Sequence, residues 1–506
     1  MLKRYLKMIR ESRVYDVSIV TPLTLAERLS RRLDNHVWMK REDMQPVHSF
    51  KCRGAYNKIS GLSPEERGRG VIAASAGNHA QGVALAARKL GIKALIVMPQ
   101  TTPSIKVESV RDFGASIKLV GDAYDDAYAW AAERAAEKGM PFIHPYDDPL
   151  TIAGQGTIGV EILDQHTDGI HAIFVPVGGG GLLAGVAAAV KSLRPEVRII
   201  GVEPDEAACM TEALRRGRRI KLKQVGLFAD GVAVRQAGKE TYRIAREHVD
   251  DMITVTTDEI CAAMKDIFDD SRSVVEPAGA LSIAGIKKYV AAEGVSGETL
   301  VAINSGSNIN FDRLRHVSER AEIGEQREAL LAVTIPEEPG SFRRFCRFIG
   351  RRGITEFNYR FADPGNAHVF AGIQLHDGDT ERHALVESLQ AEGYPVQDLT
   401  DSELAKLHIR HMVGGRVPGL KDELLYRFQF PERPGALLAF LSSMGKRWNI
   451  SLFHYRNHGA DFGRVLVGIQ VPRESRKDFR SSLDKLGYAY WEETDCPAYQ
   501  LFLGND

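Results

Sequence analysis

The chain has 506 residues, 44% of them hydrophobic and 26% charged, the balance of a water-soluble globular protein with material for roughly three domains. Lys+Arg and Asp+Glu each number 66, so no whole-chain charge draws it to nucleic acid or an anionic membrane, and no apolar run is long enough to span a bilayer. The five cysteines (Cys52, Cys209, Cys261, Cys346, Cys496) lie far apart with no CxxC pairing, which argues against a disulfide framework or zinc site and predicts a reducing cytoplasm. The start, MLKRYLKMIRESRVYD, lacks an apolar core and a small-residue cleavage site, so no signal peptide is expected.

In chain order, the first stretch of chemical interest is PVHSFKCRGA (46–55). Pro46 ends any preceding helix, and Ser49 is the expected N-cap of a helix over FKCRGAYNKIS. Lys51 would then lie in the first turn, where the helix dipole disfavours an ammonium. Arg53 adds like charge and Phe50 an apolar wall, and each effect lowers a lysine pKa. Schiff-base lysines are tuned in this way, although most lysines are only solvated surface charges.

Next, VIAAS (71–75) reads as a strand, AQGVALAARKLG (80–91) as a helix ending at Gly91, and KALIVMP (93–99) as another strand. The turn between the first two, SAGNHAQG (75–82), offers Ser75, Asn78 and His79 at a helix N-terminus. They suit either ordinary capping or the binding of a carboxylate or ring oxygen. AIFVPV (172–177) is a strand that runs into GGGGLLAGVAAAVKSL (178–193), a glycine turn feeding a helix; RIIGVE (198–203) follows as a strand. Four glycines at a helix N-terminus let backbone N–H groups approach an anion, or serve a tight turn. Gly179, Gly181, Ala184 and Glu203 also satisfy a dinucleotide fingerprint, while the absence of a following Gly-Lys-Ser/Thr excludes a Walker loop. TLVAI (299–303) is a last strand before NSGSNIN (304–310), which puts Ser305 at a strand's carboxyl end, where open α/β sheets bind ligands. Strand–helix–strand units of this kind predict a parallel sheet with helices on both faces.

After GEQREALL (324–331) an internal repeat begins. LLAVTIPEEPGSFRRFCRFIG (330–350) aligns with LYRFQFPERPGALLAFLSSMG (425–445), and GITEFNYR (353–360) with NISLFHYR (449–456). Val333 and Ile335 match Phe428 and Phe430 on alternating strands; Phe342, Phe345 and Ile349 match Leu437, Phe440 and Met444 on a helix face. Two copies of a small ferredoxin-like α+β unit are expected, joined by the loop-like GGRVPG (414–419).

The combination and order of TPL (21–23), PVHSFKCRGA, ASAGNHAQG, GGGGL and SGSN resembles the pyridoxal-phosphate enzymes of the tryptophan-synthase-like fold (fold type II). SFK-x-RGA with SAGNHAQG resembles the serine/threonine dehydratase branch. FNYR and FHYR after PEEPG and PERPG resemble the paired ACT-like regulatory domains of its biosynthetic, feedback-controlled members. The resemblance implies a pyridoxal 5'-phosphate catalytic domain over 1–325 and ACT-like domains over 326–416 and 417–506. It implies that Lys51 carries the cofactor and acts as general base, that Phe50 packs beside the ring, and that Asn78 bonds the pyridine hydroxyl oxygen. Gly178, Gly179, Gly180, Gly181 and Leu182 hold the phosphate through backbone N–H groups, and Ser305 meets the ring nitrogen. Ser75, Asn78 and His79 hold the substrate carboxylate. The acid for the departing hydroxyl is implied to be the cofactor phosphate.

The implied reaction is deamination of L-threonine to 2-oxobutanoate and ammonia, the first step of isoleucine biosynthesis, with L-serine slower. Tyr359, Arg360, Tyr455 and Arg456 are the implied effector contacts, for isoleucine as inhibitor with valine opposing it, in a homotetramer. Two departures sharpen this. Related racemases have a serine two residues before the asparagine, where this chain has Ala76, which disfavours racemisation; relatives with a divalent metal have a glutamate where this chain has Gly226, so no tight metal site is expected. The rivals are a nicotinamide-dependent dehydrogenase, which leaves Lys51 and Ser305 without work, and a non-catalytic amino-acid sensor.

Overall fold

The computed structural model describes residues 1–506 except 168, 351, 413, 432–435, 445–446, 457–461, 487, 498, 500–502 and 504–506. The matched Pro434-Gly435 turn and the side chains of Phe430, Met444 and Arg456 lie outside the described residues. The chain forms two compact units, Met1–Ala321 and Glu322–Asp506.

The first unit holds two sheets rather than the single one expected. The larger has six strands in the order Leu23–Leu25, His36–Arg41, Thr299–Asn304, Ile170–Pro176, Arg198–Pro204, Asp251–Val255. Only the first pair is antiparallel. Alternation along Ile170–Pro176 sends Ala172 and Phe174 to one face and Ile173 and Val175 to the other. Each face is covered by helix: Thr257–Ser271 and Pro277–Glu293 on one, Pro149–Gln165 and Gly181–Leu193 on the other. The smaller sheet pairs Val71–Ala74, Ala94–Met98 and Ser116–Leu119 in parallel. Apolar runs specify strands, but which strands pair is decided by long-range packing that no local pattern encodes.

The helix expected after Phe50 is Lys51–Ser60, and that expected at 80–91 is Asn78–Leu90, stopped by Gly91 in the left-handed region at φ +67°. Ser49 does not cap the first of these. Phe50 occupies the N-cap without a side-chain bond, and the buried Ser49 hydroxyl has no partner, because this residue bridges to Gly306 instead.

The second unit is one antiparallel sheet of eight strands: Val396–Asp398, Glu328–Pro336, Asn366–Gln374, Ile354–Arg360, Asn449–Arg456, Phe462–Gln470, Glu423–Pro431, Ala489–Glu492. Each half runs strand, helix, strand, strand, helix, strand, the ferredoxin-like order that the repeat predicts. Val333, Ile335, Phe342, Phe345 and Ile349 share one core with Phe428, Leu437 and Phe440. The halves join through the two central strands, with Phe357 opposite Tyr455 and Tyr359 opposite Phe453.

Candidate active site

Lys51 is the first residue of its helix, and glycines fix where that helix lies. A Cβ on Gly154 would fall 2.7 Å from the Gly54 Cα, so Lys51–Ser60 and Pro149–Gln165 touch backbone to backbone. The Lys51 Nζ donates to the Pro145 carbonyl at 3.3 Å and lies 5.1 Å from the centre of the Phe50 ring. Burial lowers this amine from the usual lysine range to about 8, with Glu276 as the one charge that opposes the effect. Arg53 has no part in this. Its guanidinium turns away into a buried network, donating to Glu42 at 2.8 Å and Glu161 at 2.5 Å, with Lys40 2.6 Å from Glu161. The arginine of the motif therefore holds the helix down instead of tuning its neighbour.

Backbone contacts bring the other motifs to Lys51. The Phe50 N–H donates to the Ser305 carbonyl at 3.2 Å. Ser305 is buried, and its hydroxyl donates to the Ala278 carbonyl at 3.3 Å, a long bond that gives way easily. Next to Pro145, the Tyr146 ring packs on the glycine turn, where a Cβ on Gly179 would fall 2.3 Å from its atoms. Gly180 is left-handed at φ +92°. Thr241 Oγ1 donates to the Gly179 carbonyl at 2.6 Å, and the Cys209 thiol to the Gly178 carbonyl at 3.5 Å. Carbonyls are thus committed inward, and the open hydrogen-bonding capacity of the Gly178–Leu182 turn is its N–H groups. A cradle that a single Cβ would fill, lined by N–H groups at a helix start, suits a phosphate ester.

Asn78 opens the helix Asn78–Leu90. Its Nδ2 donates to Glu276 Oε1 at 2.6 Å and its Oδ1 accepts from Asn308 Nδ2 at 2.7 Å. The Ser75 hydroxyl accepts the Gly77 N–H at 3.3 Å. His79 is 3% exposed, with Nε2 2.8 Å from the Ile143 carbonyl and no partner on Nδ1. A carbonyl only accepts, so Nε2 carries the proton and Nδ1 is an acceptor. Burial and Lys51 push His79 down to about 3, so it is neutral. Its side chain has no donor for a carboxylate; its backbone N–H, in the first turn, does.

The remaining predicted residues sit in the second unit. Tyr359 is buried with its hydroxyl on Glu337. Arg360 binds Glu423 at 2.5 Å and the carbonyls of Gly415 at 3.0 Å and Leu503 at 2.8 Å. Tyr455 is packed in the core at 2% exposure, and the Arg456 backbone lies opposite Glu356. Four residues after Gly226, in Ala229-Asp230-Gly231, Asp230 pairs with Lys106 and Arg313. Among the described residues no three His, Cys, Asp or Glu side chains cluster as metal ligands.

Three participants escaped the sequence reading: Glu276, Asn308 and Tyr146. Asn308 stands inside the quoted NSGSNIN, while Glu276 before Pro277 looks like an ordinary helix start.

Residues 15–306 match the family described as pyridoxal-phosphate dependent enzyme, and residues 319–409 and 414–503 each match the C-terminal regulatory domain of threonine dehydratase. The biosynthetic L-threonine dehydratase IlvA of Burkholderia multivorans is 56% identical over 502 residues, covering 99% of each chain. The chloroplastic threonine dehydratase 1 of Solanum lycopersicum is 52% identical over 99% of this chain and 82% of its own. Among solved structures, the processed form of threonine deaminase isoform 2 from Solanum lycopersicum has TM-score 0.63 at 51% identity, over 64% of this chain and 88% of its own. Maize serine racemase has TM-score 0.58 at 34% identity, over 62% and 96%. Identity of this degree from end to end leaves no room for the dehydrogenase or the inert sensor: the chain belongs to the biosynthetic threonine dehydratases, carbon–nitrogen lyases of pyridoxal-phosphate fold type II with a duplicated regulatory domain.

Proposed function

We propose that this enzyme converts L-threonine to 2-oxobutanoate and ammonia in the first step of isoleucine biosynthesis, acts more slowly on L-serine, and is inhibited by isoleucine with valine opposing it. The observation that carries the catalytic part is the Lys51 amine, lowered to about 8 and held by Pro145, whose neighbour Tyr146 lies on the glycine turn. When bound, pyridoxal phosphate supplies the electron sink for charge at the substrate Cα. The N–H groups of Gly178–Leu182 would hold its phosphate, and Asn78, Ser305 and Phe50 would hold its ring, the first two through hydrogen bonds and the third by packing. Lys51 Nζ would hold the cofactor and, as a free amine, would take the Cα proton. Ser75 and the first-turn N–H groups of Asn78 and His79 orient the substrate carboxylate. The hydroxyl leaves as water and one water returns at hydrolysis, so threonine yields 2-oxobutanoate and ammonia. Ala76 offers no acid on the opposite face, which favours elimination over racemisation.

The proposed domains are 1–325 for catalysis and 326–416 and 417–506 for regulation. Tyr359 and Arg360 belong to one strand of the central pair and Tyr455 and Arg456 to the other, where effector binding would be sensed. Effector control needs two states that the ligand binds unequally, which a cytoplasmic homotetramer provides through its subunit contacts. No helix among the described residues is long and apolar enough to cross a membrane.

Two measurements test the proposal. Purified enzyme should release 2-oxo acid from threonine faster than from serine at equal concentration; serine as the better substrate overturns the assignment. Isoleucine should inhibit the full chain, and a chain ending near residue 325 should keep turning over threonine while ignoring isoleucine. Inhibition that persists in the shortened chain removes the effector site from the second unit.

A further inference from the structure

Glu276 is 3% exposed and starts the helix Pro277–Glu293, yet its carboxylate makes no capping bond to that helix. The side chain points into the site instead. Its Oε1 accepts the Asn78 amide and lies where a Cβ on Gly306 or Gly231 would stand, at 2.8 and 3.2 Å, so both glycines make room for it. Its own backbone N–H is bonded to the Gly306 carbonyl at 3.1 Å, beside Ser305. We infer that Glu276 is a positioning residue for the reaction: with Asn308 it locks the Asn78 amide so that only an N–H faces the cofactor ring, and its charge balances the cationic nitrogen of Lys51. This rests on the roles given above to Lys51 and Asn78.

The lock follows from donor and acceptor count. Asn78 Nδ2 spends one N–H on Glu276, and Oδ1 accepts from Asn308. Flipping the amide would set oxygen against carboxylate and N–H against N–H. One N–H remains, so Asn78 recognises an acceptor and rejects a donor, which suits a cofactor hydroxyl in its ionised form. The counter-charge follows from the surroundings. Burial and then Asp230 push Glu276 up to about 7, with the Asn78 amide, Lys106 and the Asn308 backbone acting the other way. Asp230 is itself paired with Lys106 and Arg313. Around Lys51, His79 and His144 are both held below their ordinary range and carry no charge at neutrality. Above about pH 7, where it is ionised, Glu276 is thus the carboxylate that helps the Lys51 nitrogen keep its proton.

The test uses the loaded full-length enzyme and reads the bound cofactor. In E276Q the side-chain oxygen still accepts from Asn78, but the charge is gone. The pH midpoint of the visible absorbance should fall, by about one unit, because a cation that loses its counter-charge gives up its proton more readily. In E276A the lock is also lost, and cofactor should leave at least about tenfold faster on dialysis against cofactor-free buffer, the effect of roughly one charge-assisted hydrogen bond. An unmoved midpoint in E276Q overturns the counter-charge. Cofactor retention equal to the parent in a folded E276A overturns the lock, and if E276A does not fold, the same dialysis on N308A, which removes the donor to the Asn78 oxygen, decides the lock with the same two outcomes. Should K51A still bind cofactor covalently, it is the underlying reading of Lys51 that fails, whatever the Glu276 variants show.

Discussion

Replacing Lys51 with alanine leaves a folded, colourless protein that no longer deaminates threonine. On the mechanism proposed above, the group lost is both the attachment point of the cofactor and the base for the Cα proton. General-base catalysis alone is worth about 10²–10⁴-fold, and loss of covalent attachment adds to it. Borohydride reduction of the parent should fix the cofactor on Lys51, located by peptide mapping; label elsewhere would move the site. The parent also has a pH signature. Only the free amine attacks, and burial brings the Lys51 pKa down to about 8. Cofactor uptake by the apoprotein should therefore climb with pH below about 8 and level off above it. A normal surface lysine would keep climbing toward its reference value of roughly 10.4.

Arg53→Ala, two residues along, should fail for the opposite reason. Arg53, Lys40, Glu42 and Glu161 form a neutral set of two cations and two carboxylates, none more than 4% exposed at the side chain. Removing Arg53 leaves a net negative charge in a dry interior, which costs about 3–5 kcal/mol. The urea midpoint should drop accordingly. Lysine should restore little, since only a guanidinium forks between Glu42 and Glu161 while reaching Thr157 at 3.1 Å. A midpoint equal to the parent would dismiss the network as a stabilising element. The two substitutions would separate what one short motif combines: the proposed chemistry at position 51 and, at position 53, the anchoring of the helix that carries it.

That separation shows what local pattern can and cannot reveal. Strands such as Ala94–Met98, the helix ends at Gly91, and the repeat faces at Phe342 and Phe440 follow from periodicity and turn chemistry, so they are legible residue by residue. The glycine turn is legible because four consecutive glycines are seldom tolerated without cause, whereas Lys51 stands out only through the motif around it. Arg53 misleads. Next to Lys51 it looks like a repelling charge, yet its partner Glu161 stands 108 residues away. Glu276 is invisible for a related reason, since its meaning lies in Asn78, 198 residues distant. The residues expected to contact an effector show the same limit. Arg360 is bound to Glu423 in the other repeat, a partner no local pattern names.

The pairing of Ile354–Arg360 with Asn449–Arg456 reaches beyond regulation. Each half-sheet uses its neighbour to cover a row of backbone groups that would otherwise lie bare. A chain stopped between the repeats would expose Ile354–Arg360 as a naked margin and strand Arg360 without Glu423. Bare margins of this kind recruit other chains and aggregate. The duplication is consequently part of how the sheet is closed: losing one copy leaves the other with an uncovered edge.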